Sequence, residues 1–289
     1  EQLGYTSTFL VEHHFTGFGQ VSASLNLLTW IGSRTKRLRL GTAVLVLPWH
    51  NPVLLAEQIA TLDLLSEGRV DVGIGKGYRL SEFDGFCVSI EEADERFEEC
   101  LNVMTKAWTS DSPWSHKGTY WQYNDVIVEP TSSQLPHPPL WMGAGSPRSI
   151  KQVASNGFNM LLGQFDSIEQ ISEEIALYKD EVEKQGRIFD PKSVAVARSI
   201  NIMDSQNEYE EAINNRMAAR RRTQELARRS GFEDTAEAAA AGTLYGPPEE
   251  IASKLQALTE IGVEYVLVNS PAGIKTLRRF AKEVMPSFI

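Results

Sequence analysis

Apolar runs alternate with amphipathic stretches along most of this chain, and the alternation predicts strands separated by helices. Seven apolar runs are predicted strands, at residues 8–11, 39–47, 69–75, 140–144, 160–163, 194–202 and 265–269. Helix-spaced apolar positions fill most of the segments between them, as Leu55, Ile59 and Leu62 do after the second run. Strands that alternate with helices indicate βα units and a parallel sheet.

The joints between helices and strands repeat one pattern, in which an apolar helix end is followed by a glycine and then by an apolar strand. Gly4, Gly157 and Gly262 each stand at such a joint. Glycine readily adopts the left-handed conformation that ends a helix, so each of these glycines is predicted to cap one.

The seven strands and the helix end before Gly4 predict an α/β fold. We expect a (β/α)8 TIM barrel from which the first strand and most of the first helix are missing. A doubly wound open sheet is the alternative, but it would need a glycine-rich dinucleotide-binding turn after an early strand, and the sequence has none. Residues 1–289 are predicted to form a single barrel domain, with residues 204–242 as a mobile helical insertion.

Composition and charge narrow the class of protein. The net charge of -10 argues against nucleic acid and anionic membranes as partners. Two cysteines, Cys87 and Cys100, cannot form a disulfide framework, and neither has metal-ligand spacing around it, so no metal site is predicted. With no signal peptide and no membrane-length apolar run, a cytoplasmic protein is expected.

The first predicted strand runs directly into Glu12-His13-His14. Neighbouring side chains of a strand point to opposite faces, so one histidine is predicted to face the barrel interior while the other packs outward. In a barrel of this class, function lies at the carboxyl ends of the strands, which makes this pair a candidate for catalysis. A hydrogen-bonded structural pair is the alternative interpretation.

Two further strand ends suggest an anion site. Gly145, Ser146 and Ser149 open a predicted helix with hydroxyls and free backbone amides, and Lys76 stands between glycines after another strand. Their joint position at strand ends favours a phosphate. Taken singly, Ser146 is better explained as a helix N-cap and Lys76 as a solvated loop residue.

Six motifs along the chain form a recognisable set. They are Glu12-His13-His14-Phe15-Thr16-Gly17-Phe18-Gly19, Leu40-Gly41-Thr42 through Leu47-Pro48, Ala56-Glu57 through Glu67-Gly68-Arg69, Gly73-Ile74-Gly75-Lys76-Gly77, Gly246-Pro247-Pro248-Glu249-Glu250 and Val284-Met285-Pro286. Together they resemble the bacterial luciferase-like flavin-dependent monooxygenases, the alkanal monooxygenase-like family. The resemblance covers the chain except residues 168–243, where only the βα pattern holds.

The resemblance implies an enzyme that binds reduced FMN, forms a flavin 4a-peroxide with molecular oxygen, and oxygenates a small organic substrate. His13 matches the family's catalytic histidine, while Glu12 and His14 match its orienting and packing neighbours. Imidazole groups in general suit proton movement near neutral pH.

The resemblance also implies the cofactor contacts. Lys76 matches a phosphate-binding position that is usually arginine, and Ser146 and Ser149, just after Gly145, match the hydroxyl ligands of that phosphate. Lysine keeps the charge of arginine but lacks its bidentate fork.

Two further positions matched by the resemblance lie close to the flavin ring. Ala43-Val44 matches a non-proline cis peptide under the ring, and Gly75 stands where the luciferases carry a cysteine near the flavin. The absence of that cysteine favours a non-luminescent monooxygenase.

No nicotinamide-binding motif is visible, so a separate flavin reductase is expected to supply the reduced FMN. A homodimer is expected because dimers are common in the family. Two alternatives remain open at this point: a deazaflavin-dependent hydride-transfer oxidoreductase of the same superfamily, and an inactive flavin-binding subunit.

Overall fold

A computed structural model of the protein describes residues 1–17, 20–228 and 233–288. The chain divides into two compact units. The first unit contains Glu1 and Thr6–Trp141, and the second contains Gln2–Tyr5 and Met142–Ile289. Among the described residues, no helix has the length and apolar character needed to cross a bilayer.

The first unit is built on short parallel strands. Its elements are β1 (Ser7–Leu10), α1 (Ser24–Gly32), β2 (Arg39–Thr42), β3 (Leu45–Val46), α2 (Pro52–Leu65), β4 (Val70–Gly75), α3 (Leu80–Phe86), α4 (Ala93–Thr109), β5 (Trp114–Lys117) and β6 (Gln122–Val126). β2 pairs in parallel with both β1 and β4, and β3 also pairs with β4. β5 and β6 form an antiparallel hairpin.

β7 (Leu140–Gly143) begins at the end of the first unit, and the second unit continues the alternation. Its elements are α5 (Pro147–Ser155), β8 (Asn159–Leu162), α6 (Ile168–Lys184), β9 (Val194–Ile202), α7 (Gln206–Ala227), α8 (Ala236–Ala240), β10 (Thr243–Gly246), α9 (Pro248–Glu260), β11 (Tyr265–Asn269) and α10 (Ile274–Glu283). β9 pairs in parallel with β8, β10 and β11.

The predicted helix ends are explained by local chemistry. Gly4, Gly157 and Gly262 all have positive φ, between 72° and 91°. The joints at Gly157 and Gly262 are confirmed, because these glycines follow α5 and α9, whereas residues 1–3 form a turn and not the helix end predicted before Gly4. Ser167 is the N-cap of α6, and its hydroxyl accepts a hydrogen bond from the backbone amide of Gln170. This capping box satisfies amides that the first turn of the helix would otherwise leave free.

Three parts of the sequence prediction are corrected by the structure. The apolar run over residues 39–47 is not one strand, because it breaks at Ala43 and Val44 between β2 and β3. The sequence predicts a loop through Phe83 and Gly85, but both residues lie inside α3, and Phe83 is fully buried. It also predicts a hairpin-like segment over residues 120–128, whereas the hairpin begins earlier, at Trp114.

The segment predicted as a mobile helical insertion, residues 204–242, contains α7 and α8. Its helices contribute Ile213 and Ala239 to a buried apolar cluster, which also contains Met203, just after β9, and Tyr245 of β10. The sequence predicts a long charged helix over residues 207–229 in this segment. Its predicted end at residue 229 lies outside the described residues, as do residues 230–232. The mobility of the segment therefore stays a prediction.

Glu174 gives the second unit a pH-dependent stability. Its Oε2 atom is buried and has no hydrogen-bond partner among the described side chains and backbone groups. Burial, followed by the negative charge of Asp166, raises the pKa of Glu174 to about 7. An acid with a raised pKa in the folded state stabilises that state fully below its unfolded pKa of about 4.3, and this contribution is lost as the pH rises towards 7.

We expect Glu174→Gln to raise the midpoint of thermal unfolding at pH 8 on the order of 2 °C, because glutamine cannot ionise. The effect is kept small because the carboxylate is only half-buried and water screens its charge. The two proteins should converge at pH 4, and the exposed Glu173→Gln should show no such pH dependence. Thermal unfolding followed by circular dichroism at both pH values tests this; an equal midpoint at pH 8 would contradict it.

Candidate active site

The histidine pair lies just beyond a strand rather than within it. β1 ends at Leu10, so Glu12, His13 and His14 belong to the loop that follows. The predicted alternation of strand faces is therefore wrong for these residues. The two imidazoles instead bind two different buried carboxylates, Glu82 for His13 and Glu12 for His14.

Glu12 is the centre of a buried hydrogen-bond cluster in the first unit. It is 3% exposed. Its Oε1 accepts hydrogen bonds from His14 Nε2 at 2.9 Å, His50 Nε2 at 2.8 Å and Trp49 Nε1 at 3.2 Å, while its Oε2 accepts one from the Val46 amide at 2.8 Å. Through these hydrogen bonds, the loop after β1 contacts the segment that contains β3.

The same donors explain the charge of Glu12. Burial acts to raise the pKa of this carboxyl, but hydrogen bonds from His50, His14 and the Val46 amide outweigh burial and hold the pKa below its usual value. Indole and backbone N–H groups only donate, and one reaches each oxygen of Glu12. Glu12 is therefore an ionised carboxylate that accepts hydrogen bonds from the ring N–H groups of both histidines.

His13 has a separate set of partners. Its Nδ1 lies 2.9 Å from Oε1 of Glu82, a residue of α3 that is 1% exposed. The same oxygen accepts the backbone amide of His14 at 3.0 Å and lies 3.6 Å from NH1 of Arg79. Arg79 is itself 4% exposed, so the carboxylate and the guanidinium form a buried ion pair behind His13.

Aromatic rings surround His14. Phe86 contacts it edge-on with ring centroids 4.7 Å apart, and Trp49 does so at 6.0 Å. Phe15 completes the group and remains 60% exposed. A Cβ atom added at Gly85 would lie 2.4 Å from the Phe15 ring, so only glycine allows that ring to lie where it does.

The predicted cis peptide is present. The bond between Ala43 and Val44 is cis, as the family resemblance implies. Gly75, at the end of β4, lies beside it, because a Cβ atom at Gly75 would come within 2.6 Å of Cγ2 of Val44. Glycine at position 75 therefore leaves the space that the side chain of Val44 occupies.

Lys76 follows β4 and is partly exposed. Its Nζ lies 2.9 Å from Oδ1 of Asp94, and the ammonium lies 5.4 Å from the centre of the Phe97 ring. The side chain of Asp94 is 65% exposed, and such a surface ion pair contributes little free energy. An incoming anion can therefore replace Asp94 as the partner of Lys76 at small cost.

In the second unit, Gly145, Ser146 and Ser149 form the start of α5. Ser146 is its N-cap, and its Oγ accepts the Ser149 amide at 3.2 Å. The hydroxyl of Ser149 in turn accepts the amides of Ser146 at 3.0 Å and Gly145 at 3.3 Å. The N-cap interpretation of Ser146 is confirmed, and both hydroxyls remain exposed at the positive end of the helix.

Four residues of the first-unit site were missed by sequence reasoning: Arg79, Glu82, Trp49 and His50. From the sequence, Trp49-His50 after a strand is typical of aromatic packing, whereas both side chains donate to Glu12. Glu82 lies in a segment whose sequence predicts a loop, so the hydrophobic pattern does not indicate it. The spacing of Arg79 and Glu82, three residues apart in a segment rich in aromatic residues, is the signal that could have indicated the helix and its buried pair.

The chain is similar to known proteins over most of its length. A family model described as luciferase-like monooxygenase matches residues 1–265. The uncharacterized protein y4vJ of Sinorhizobium fredii is 30% identical over 79% of this chain, which spans 65% of that protein. The oxygenase component of the flavin-dependent trigonelline monooxygenase of Acinetobacter baylyi is 26% identical over 96% of this chain and 84% of its own length. The FMNH(2)-dependent dimethylsulfone monooxygenase of Pseudomonas putida is 27% identical over 87% of this chain and 74% of its own length.

Solved structures share the fold. Monooxygenase RslO1 from Streptomyces bottropensis superposes with a TM-score of 0.86 at 24% identity, over 100% of this chain and 90% of its own. An F420-dependent secondary alcohol dehydrogenase superposes with a TM-score of 0.80 at 17% identity, again over 100% of this chain and 90% of its own. These similarities confirm the predicted α/β class and the luciferase-like TIM-barrel fold.

Proposed function

The chain belongs to the luciferase-like monooxygenase family, and on that premise we propose that it is a flavin-dependent monooxygenase. It uses reduced FMN and molecular oxygen to oxygenate a small organic substrate. The observation that carries the proposal is the placement of His13 at the carboxyl end of β1, held by the buried carboxylate of Glu82. A histidine in such a position can exchange a proton with a bound reactant.

The residues of the first unit fit a flavin. Lys76 offers a cation whose present partner is an exposed carboxylate, which suits a phosphate group. Gly75 lies beside Ala43-Val44, and the space that a Cβ atom would take at Gly75 is filled by the side chain of Val44. We assign Ala43, Val44 and Gly75 to contact with the flavin ring, as the family resemblance implies. Reduced FMN, when bound, would supply the electrons that activate oxygen.

The second unit supplies a further anion-binding element. Backbone amides and two hydroxyls meet at the start of α5, where the helix dipole favours negative charge. A Cβ atom added at Gly143 or Gly145 would meet nothing within 4 Å, so the approach to this turn is open. We assign Gly145, Ser146 and Ser149 to the binding of the flavin phosphate.

The histidines have distinct roles in this proposal. His13 moves a proton at the reacting centre, while His14 is held by Glu12 and lies edge-on against the ring of Phe86. Glu12 thus acts as the orienting group for His14. The aromatic rings around His14 exclude water from one side of the loop.

The partners follow from the same proposal. A separate flavin reductase supplies reduced FMN, in line with a relative that is named as an oxygenase component. The substrate is a small organic molecule, and two copies of the chain form a homodimer. Size-exclusion chromatography with light scattering tests the dimer directly, since the monomer mass is 32.2 kDa.

Anaerobic titration with photoreduced FMN, followed by mixing with oxygenated buffer, tests the proposed function. We expect reduced FMN to bind more tightly than oxidised FMN, and the absorbance of oxidised flavin to return more slowly than it does for free reduced flavin. Binding of a reduced deazaflavin in place of FMN would overturn the proposal in favour of hydride transfer. Tight FMN binding without any delay would instead favour an inactive subunit.

Lys76 provides a prediction on affinity. Lys76→Ala should weaken binding of reduced FMN about tenfold to a hundredfold, because a charged hydrogen bond to phosphate is lost. Lys76→Arg should keep or tighten binding, since guanidinium can bind phosphate with two parallel hydrogen bonds. Fluorescence titration with FMN and with riboflavin separates the effects. Riboflavin carries no phosphate, so an equal loss for both ligands would contradict the phosphate assignment.

A further inference from the structure

Glu82 receives several donors on one oxygen, and their chemistry determines where the proton of His13 lies. The backbone amide of His14 donates to Oε1 of Glu82 at 3.0 Å, and NH1 of Arg79 lies 3.6 Å away. Amide and guanidinium groups cannot accept hydrogen bonds, so Oε1 is an acceptor. Nδ1 of His13, 2.9 Å from the same oxygen, must then be the donor.

The neighbouring histidines contact their carboxylate through the other ring nitrogen, Nε2. His14 and His50 both reach Glu12 through Nε2, and the oxygens of Glu12 also receive N–H groups that can only donate. Their protons therefore lie on Nε2. Three histidines of one unit thus have tautomers fixed by two buried carboxylates, and His13 alone of these three has its proton on Nδ1.

We propose that Glu82 is a positioning residue that selects the Nδ1–H tautomer of His13 and so leaves Nε2 as the proton acceptor of the site. Within the described part of the chain, Nε2 of His13 makes no hydrogen bond to protein, and the His13 side chain is 15% exposed. The inference rests on the proposed function, because a free Nε2 has a use only if His13 faces a reactant. The inference names the atom that would take the proton.

Arg79 is the second positioning residue. Its guanidinium supplies the positive charge that a buried carboxylate needs, and NH1 also donates to Oε1 of Gln20 at 3.2 Å. Its Nε is buried without a hydrogen-bond partner among the described residues. Burying this Nε without a partner costs free energy, so we assign Arg79 a role beyond packing.

Nitrogen-15 NMR of the histidine rings tests the tautomers without flavin or substrate. The chain has five histidines, and the single variants His13→Gln, His14→Gln and His50→Gln assign the three that matter. We expect the proton of His13 on Nδ1 and those of His14 and His50 on Nε2. A proton on Nε2 of His13 in the wild-type protein would overturn the inference.

Variants of Glu82 test cause and effect. Glu82→Gln keeps an oxygen that can accept from Nδ1, so the tautomer of His13 should be retained. Glu82→Leu removes the acceptor, and His13 should then shift to the Nε2–H form that free imidazole side chains prefer. Glu82→Leu leaves the charge of Arg79 buried without its partner and so threatens folding. The double variant Arg79→Met/Glu82→Leu removes both charges and is expected to fold, so the tautomer is measured in it as well. An unchanged tautomer in either leucine variant would refute the role of Glu82.

Activity gives the second readout. Glu82→Leu should lower kcat about 100-fold, as expected for a base in the wrong tautomer, while affinity for reduced FMN stays within about threefold. Glu82→Gln should recover most of the rate. Glu99→Gln is the matched control, because Glu99 also binds a histidine, His116 at 3.1 Å, and should leave both kcat and the His13 tautomer unchanged.

The two proposals can fail separately. If the tautomers are as expected but reduced FMN does not bind, the proposed function fails while the positioning of His13 stands as a structural fact. If FMN binds and oxygen is activated with His13 in the Nε2–H form, the inference fails and the proposed function survives. If Glu82→Leu lowers affinity for FMN as much as kcat, Glu82 is a structural residue of the site and the inference is wrong.

Discussion

Replacing His13 with alanine is expected to lower kcat about 10³-fold while affinity for reduced FMN changes by less than about threefold. The imidazole is the proton-exchanging group of the proposed reaction, whereas the proposed phosphate contacts lie on other residues. Among the described residues, the His13 ring forms its one hydrogen bond with Glu82, so its removal leaves the strands intact. Stopped-flow measurement of substrate oxygenation, together with FMN titration, separates the two effects.

His14→Ala is the matched control for this variant, because it removes a neighbouring imidazole that Glu12 holds through Nε2. It should reduce kcat far less than His13→Ala does. In the His13→Ala background, Glu82→Leu should cause no further loss of kcat, since Glu82 acts through the imidazole. Additive losses in the double variant would contradict that dependence, and equal losses for the two histidines would contradict the assignment of His13.

The fold could be predicted from the sequence because buried parallel strands have a strong local signal. The predictions over residues 194–202 and 265–269 agree with the bounds of β9 and β11 to the residue. The run over residues 39–47 looked like one strand because every apolar residue in it is compatible with an extended chain. Hydropathy carries no information on the cis bond between Ala43 and Val44, whereas the family resemblance implies it.

The site was predictable only in part. Glu12, His13 and His14 are adjacent in sequence and stood out as a motif, yet what distinguishes the two imidazoles is the partner of each. Glu82, the partner of His13, lies 69 positions away in sequence. His50, which binds Glu12 together with His14, lies 38 positions from Glu12. Pairing between distant polar side chains leaves no periodic pattern, so a single sequence cannot reveal it. The short helix that carries Glu82 has seven residues, too few to show helical periodicity.

Removing the carboxylate of Glu12 is expected to destabilise the first unit strongly. Glu12→Ala would leave the ring N–H groups of His14 and His50 and the amide of Val46 without their acceptor in a buried place. Such a loss costs about 3 to 5 kcal/mol in the free energy of unfolding. Urea unfolding followed by circular dichroism measures it, and a cost below about 1 kcal/mol would contradict the structural role of the cluster.

The pH dependence of that cost identifies the carboxylate as its source. Because the pKa of Glu12 is lowered in the folded state, its contribution is fully present above the unfolded value of about 4.3 and is lost as the pH falls through the folded pKa. The difference between Glu12→Ala and the wild-type protein should therefore shrink in acid. Glu12→Gln keeps the shape and one acceptor but no charge, so its smaller deficit should include the same acid-sensitive part. A deficit for Glu12→Ala that stays constant from pH 7 to about pH 3 would instead assign the loss to packing.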